Sequence, residues 1–145
     1  SCFGSDINFF LWGKTAMGTG RGEIITPMKP VSIDNILLVN PRYEISSFEA
    51  YSLLSLSEQQ CNDWETLIAT GDVDYCYNKL QENLAGKYPD LANLLAKLES
   101  MGAKKSMISG SGPTVIGFFE DKNQIEAAEA EFKKIGLWTN VTNSN

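Results

Sequence analysis

Residues 105–109 ("KSMIS") and 114–120 ("TVIGFFE") both have strand-forming composition, and only "GSGP" stands between them. A connection that short joins antiparallel neighbours, because a parallel crossover needs a dozen residues or more. The two clearest amphipathic helices of the chain flank this pair. Upstream, "PDLANLLAKLESMG" sets Leu91, Leu94, Leu95, Leu98 and Met101 on one stripe, with Pro89 suited to the first turn and Gly102 to the stop. Downstream, "DKNQIEAAEAEFKKIG" opens on a capping box of Asp121 and Gln124. It aligns Ile125, Ala128, Phe132 and Ile135, and stops at Gly136.

The remaining periodicities complete the order. "NILLVN" (35–40) is an apolar run of strand length ended by Pro41, and "LWTNVT" is a closing strand. Helices are predicted over 46–56, 58–70 and 72–86, the last capped by Asp72 and stopped at Gly86. From residue 32 onward the sequence therefore reads strand, helices, strand, strand, helix, strand. That is an α+β, ferredoxin-like split β-α-β domain with extra helices in the first crossover. Ahead of it, Pro27 and Pro30 mark a boundary, so residues 1–30 and 31–145 are read as separate units. The glycine-rich stretch 13–28 reads as one strand whose partners lie elsewhere, an edge open to association with another chain.

Several functions are excluded by what the chain lacks. It has no histidine, which removes the usual imidazole base and metal ligand, and its three cysteines (Cys2, Cys61 and Cys76) form no CxxC pair. No metal ligand set is assigned. A formal net charge of -6 argues against extended nucleic-acid or anionic-membrane binding. No apolar run approaches the roughly 20 residues of a membrane span, and residues 1–6 do not resemble a signal peptide, so the expected location is the cytoplasm. A small-molecule ligand remains.

Two constellations could hold one. In "SGSGPT", Gly110 and Gly112 permit backbone conformations closed to other residues, and Ser109, Ser111 and Thr114 add short hydroxyl groups. Such a run can wrap an anion with its N–H groups, or it can be a plain hairpin turn. It is not a P-loop, since the spacing and the lysine are absent. In "GSDINFF", Asp6 lies between a flexible Gly4-Ser5 pair and an apolar cluster, where a carboxylate could meet a substrate hydroxyl or simply cap a helix.

Taken in order and at this spacing, "GSDINFF", "TGRGE", "NPRYEISSFEAY" and "MISGSGPTVIGFF" resemble the C-terminal half of the GHMP kinase superfamily. Within it they resemble the branch that phosphorylates the C2 hydroxyl of 4-diphosphocytidyl-2-C-methyl-D-erythritol, with ATP and Mg2+ as cofactors. The resemblance implies that Asp6 is the catalytic carboxylate. It also implies that Ser109, Gly110, Ser111, Gly112 and Thr114 position substrate and phosphates, and that Tyr43 stacks near the cytidine or erythritol moiety. Asn78 to Gln81 ("NKLQ") match the family imperfectly and receive no role. The superfamily's nucleotide loop and catalytic lysine have no counterpart here, so this chain alone is expected to be inactive. A different class of reading is a non-catalytic ferredoxin-like module that binds a small ligand or a partner.

Overall fold

The computed structural model of the chain describes residues 9, 11, 13–20, 22–54 and 63–144. Strands β1 (Ala16–Thr19) and β2 (Ile24–Pro27) form a two-stranded antiparallel sheet. The second sheet holds β3 (Ile33–Asn40), β4 (Lys105–Ile108), β5 (Val115–Phe118) and β6 (Trp138–Ser144). Between β3 and β4 lie α1 (Ser47–Ser52), α2 (Trp64–Thr70), a 3-10 turn (Val73–Tyr75), α3 (Gln81–Lys87) and α4 (Pro89–Ser100). Helix α5 (Lys122–Lys134) joins β5 to β6.

The main sheet runs β4-β5-β3-β6 with every neighbouring pair antiparallel. Strands β3 and β4, joined by the first crossover, are separated by β5, and β5 and β6 are separated by β3. Each β-α-β unit is thus split by a strand of the other, as the order of elements predicts.

Both long helices bury their stripes on the same side of the sheet. Leu91, Leu94 and Leu98 of α4 and Ile125, Ala128 and Phe132 of α5 meet Leu37, Val39, Ile108 and Val115 in one core. Gly117 is the point of closest approach, since a Cβ there would stand 2.9 Å from Leu98 Cδ2. On the opposite face Ile36 and Phe118 are covered by Val73 of the 3-10 turn. Among the described residues no helix is long and apolar enough to cross a membrane.

Four sequence expectations are corrected. The stretch 13–28 is not one strand seeking a distant partner. Gly20 and Gly22 take positive φ (70° and 95°), the Gly22 N–H donates to Thr19 O at 3.1 Å, and the chain folds back on itself as the β1–β2 hairpin. The predicted helix over 72–86 is broken, leaving 76–80 outside any helix, and α3 runs through Gly86 and ends ahead of Pro89. The capping box is half made: Asp121 accepts from Asn123 N–H at 2.6 Å. Gln124 lies instead over Gly102, so close that a Cβ there would fall within 3 Å of its carboxamide. Finally, α5 ends before Ile135, which is exposed.

Candidate functional site

The hairpin between β4 and β5 is a tight glycine turn. Ser109 N–H donates to Thr114 O at 2.8 Å and Gly112 N–H to Ser109 O at 2.9 Å. Gly110 has φ 53° and Gly112 φ 76°, both in the left-handed region, and the Gly112-Pro113 bond is cis. The two glycines face different surroundings. A Cβ on Gly112 would press on Ile108 Cγ2 at 3.3 Å and Ile45 Cδ1 at 3.5 Å, whereas a Cβ on Gly110 would meet nothing within 4 Å. Gly112 is therefore shaped by the core beneath it, and Gly110 by open space above it. The N–H groups of Gly110 and Ser111 have no acceptor among the described residues. Two successive free amides, with the hydroxyls of Ser109 and Ser111 beside them, make an arrangement able to take an anion.

The surroundings hold the turn in place. Asn40, the last residue of β3, donates from Nδ2 to Thr114 Oγ1 at 2.9 Å and accepts the Arg42 N–H at 2.6 Å. Thr114 thus fastens the turn to β3, and the backbone of Arg42 lies one side chain away. The Arg42 side chain is exposed and forms no ion pair among the described residues. On the other side, Asn78 Nδ2 reaches Ile108 O at 2.7 Å and Gly110 O at 2.8 Å, and Gln81 Oε1 accepts the Ile108 N–H at 2.9 Å. The sequence reading assigned these two residues no role. Nothing in the local pattern marked them: the sequence reads as helix through "YNK", and it is the break at 76–80 in the structure that frees Asn78 to reach the turn.

Helix α1 forms the neighbouring wall. Ser46 caps it by accepting the Glu49 N–H at 3.1 Å, and Ser47 Oγ stands 3.3 Å from Ser111 Oγ. Its outward side chains are Phe48 and Tyr51, 87% and 62% exposed and spaced as neighbours on one helical face. Neither was singled out from sequence. Beneath them Tyr43 stacks on Tyr88, with ring centroids 6.1 Å apart, and packs against the core. One face of the Tyr43 ring is thereby occupied within the fold. Burial pushes the Tyr43 phenol well above its ordinary pKa and the nearby Asp90 carboxylate adds to this. No partner completes hydrogen-bond geometry with the buried oxygen.

Glu49 ties α1 down, accepting from Lys87 Nζ at 2.7 Å and from the Tyr88 hydroxyl. The Lys87 contact first, and the Tyr88 contact second, hold its carboxyl below the usual carboxylate range. Because the folded pKa lies below the unfolded value of about 4.3, this tether is fully present above that pH. It is lost as pH falls through the lowered folded value. Acidification is therefore expected to weaken amide-exchange protection at Ala50 and Leu53, and Glu49→Gln should remove the pH dependence.

Asp6 lies outside the described residues. Ser109, Gly110, Ser111, Gly112 and Thr114 are brought together at one turn, and Tyr43 stands beneath the adjoining wall. Among the described residues no group of three His, Cys, Asp or Glu side chains converges to hold a metal ion.

Comparison with known proteins agrees with this architecture. Residues 53–136 match the family described as GHMP kinases C terminal, which is more than half of the chain, and the protein belongs to that family. It is 35% identical over 150 residues to 4-diphosphocytidyl-2-C-methyl-D-erythritol kinase of Thermodesulfovibrio yellowstonii, covering 95% of this chain and 52% of that protein. The same-named kinase of Geobacillus thermodenitrificans is 35% identical over 130 residues, covering 85% and 45%. The chain thus spans about half the length of these curated relatives. In structure it superposes on a 4-(cytidine 5'-diphospho)-2C-methyl-D-erythritol kinase with a TM-score of 0.81 at 21% identity, covering 97% of this chain and 53% of the other. A homoserine kinase from Cytophaga hutchinsonii gives 0.64 at 16% identity, covering 93% and 49%. GHMP kinases, as a family, use ATP.

Proposed function

We propose that this chain is the C-terminal portion of an ATP-dependent kinase that phosphorylates the C2 hydroxyl of 4-diphosphocytidyl-2-C-methyl-D-erythritol in non-mevalonate isoprenoid biosynthesis. Residues 31–145 form its C-terminal domain and residues 1–30 a remnant of its N-terminal domain, in a cytoplasmic enzyme. The observation that carries this reading is the pair of free amides at Gly110 and Ser111, in a chain 35% identical to a kinase named for that substrate.

The roles follow from charge and reach. Bound ATP supplies the phosphoryl group, with Mg2+ to neutralise phosphate oxygens as charge moves in transfer. Gly110 and Ser111 N–H, with the Ser109 and Ser111 hydroxyls, hold phosphate oxygens, and such fixed dipoles need no reorganisation as the charge shifts. The Arg42 guanidinium adds a mobile positive charge at the rim. Asp6 orients the attacking hydroxyl and accepts its proton. Phe48 and Tyr51 offer exposed faces to a base or sugar, and Tyr43 supports the wall that carries them. Thr114 and Gly112 hold the turn in shape. No magnesium ligand is assigned to the described residues.

The test is ADP release by the complete gene product supplied with ATP, Mg2+ and 4-diphosphocytidyl-2-C-methyl-D-erythritol. Expected is turnover that depends on that alcohol and yields its 2-phosphate, with homoserine inert. Turnover of homoserine instead would reassign the substrate. Binding without ADP release would favour the non-catalytic module.

A further inference from the structure

We propose that Asn78, seconded by Gln81, is a positioning residue that aims the Ser111 amide at the anion, an inference resting on the phosphate-binding reading of the turn. The argument begins at the sheet edge. Strand β4 is the last in its sheet, so the outer side of Ile108 has no strand to pair with. Two side chains stand in for one. Gln81 Oε1 takes the Ile108 N–H at 2.9 Å and Asn78 Nδ2 gives a hydrogen bond to Ile108 O at 2.7 Å. The edge is closed by side chains at the residue where the turn begins.

Asn78 then reaches further than edge closure requires. Its second amide hydrogen goes to Gly110 O at 2.8 Å, while its own Oδ1 accepts the Leu80 N–H at 2.9 Å. Both donors and the acceptor of the carboxamide are engaged, which leaves no freedom to rotate or flip. Gly110 C=O and Ser111 N–H belong to one planar trans peptide, in which they point in opposite directions. Fixing the carbonyl inward on Asn78 therefore fixes the Ser111 N–H outward. The Gly110 N–H is fixed by the same logic through Ser109 O, but there the partner is the turn's own Gly112 N–H at 2.9 Å. One of the two outward amides thus depends on backbone alone, and the other on a side chain about 30 positions away in sequence. Gly110, at positive φ and facing open space, has little else to hold this peptide plane.

The donors of Asn78 and the acceptor of Gln81 give variants with opposite expectations. Asn78→Ala removes the hold on Gly110 O, and Asn78→Asp turns a carboxylate toward two carbonyl oxygens. Gln81→Glu keeps an acceptor for the Ile108 N–H. In the complete enzyme, with fold checked by thermal melting, Asn78→Ala should raise KM for the phosphate-bearing substrates about five- to tenfold, the worth of one neutral hydrogen bond. The change in kcat should be smaller, Asn78→Asp at least as damaging, and Gln81→Glu, which leaves the hold on Gly110 O in place, less damaging than either. In parallel, the 15N–1H resonance of Ser111 in this chain should move in Asn78→Ala while that of Gly110 moves less. A folded Asn78→Ala enzyme with wild-type KM and kcat would overturn the inference, as would an unmoved Ser111 amide. Absence of turnover in the wild type would overturn the kinase reading instead, and the amide shift would still judge the geometric role of Asn78.

Discussion

Asp6→Asn in the complete enzyme is expected to lower kcat by about 10²- to 10⁴-fold, the usual contribution of a positioned general base. KM for both substrates should stay near wild type. The substitution keeps size and one acceptor oxygen but removes the negative charge, so it separates a role in the chemical step from a role in folding. The choice of Asp6 rests on the family resemblance of "GSDINFF". This chain itself contains no histidine, so any base it contributes is an Asp, Glu, Lys, Tyr or Cys. Half-buried Cys76 lies on the far face of the sheet, beside Ile36 and Phe118, and burial raises its thiol pKa. Burial likewise keeps Tyr43 protonated. Among the carboxylates, Glu49 is committed to Lys87 and Tyr88, and Asp72 to Lys104. Single-turnover measurement checks the prediction: retention of most of the wild-type rate in Asp6→Asn would remove this carboxylate from the mechanism.

The main sheet and its two helices were legible in the sequence because each element states its own burial. Leu91, Leu94 and Leu98 repeat at helical spacing, and those three positions are where α4 meets the sheet. Even the glycine inside "TVIGFF" has a readable reason once α4 is placed, since Gly117 admits Leu98. What was not legible depends on partners distant in sequence. "NKLQ" lies in a stretch of good helix formers, and local propensity carries no record that Asn78 will leave a helix to hold Ile108 O and Gly110 O. The glycines at 20 and 22 have the same ambiguity, because glycine suits both an extended strand near another backbone and a tight reversal. Only the pairing of Met17 with Thr26 and Gly18 with Ile25 decides it. The exposed aromatics of α1 were hidden as well. Nothing local marked Phe48 and Tyr51, and it is their exposure, on the helix whose Ser47 meets Ser111, that makes them notable.

Valine at the two turn glycines is expected to give two different defects. At Gly112 the new side chain meets Ile108 and Ile45 at 3.3 and 3.5 Å while φ stays at 76°, so overpacking and backbone strain act together. Overpacking alone costs about 1–3 kcal/mol, and the strained backbone adds a cost of similar order. Gly112→Val should therefore lower Tm by many degrees and take activity down with the folded fraction. At Gly110 no neighbour stands within 4 Å, so only the strain at φ 53° acts on stability. There the branched side chain fills open space at the residue that carries one of the two free amides. Gly110→Val should thus lose kcat/KM per folded molecule by far more than its Tm predicts. Gly110→Asn separates the causes, because asparagine tolerates positive φ yet still fills that space. Thermal melts alongside steady-state kinetics decide between the readings. If both Gly110 variants keep wild-type kcat/KM per folded molecule, the turn serves only to reverse the chain between β4 and β5, and the anion is held elsewhere.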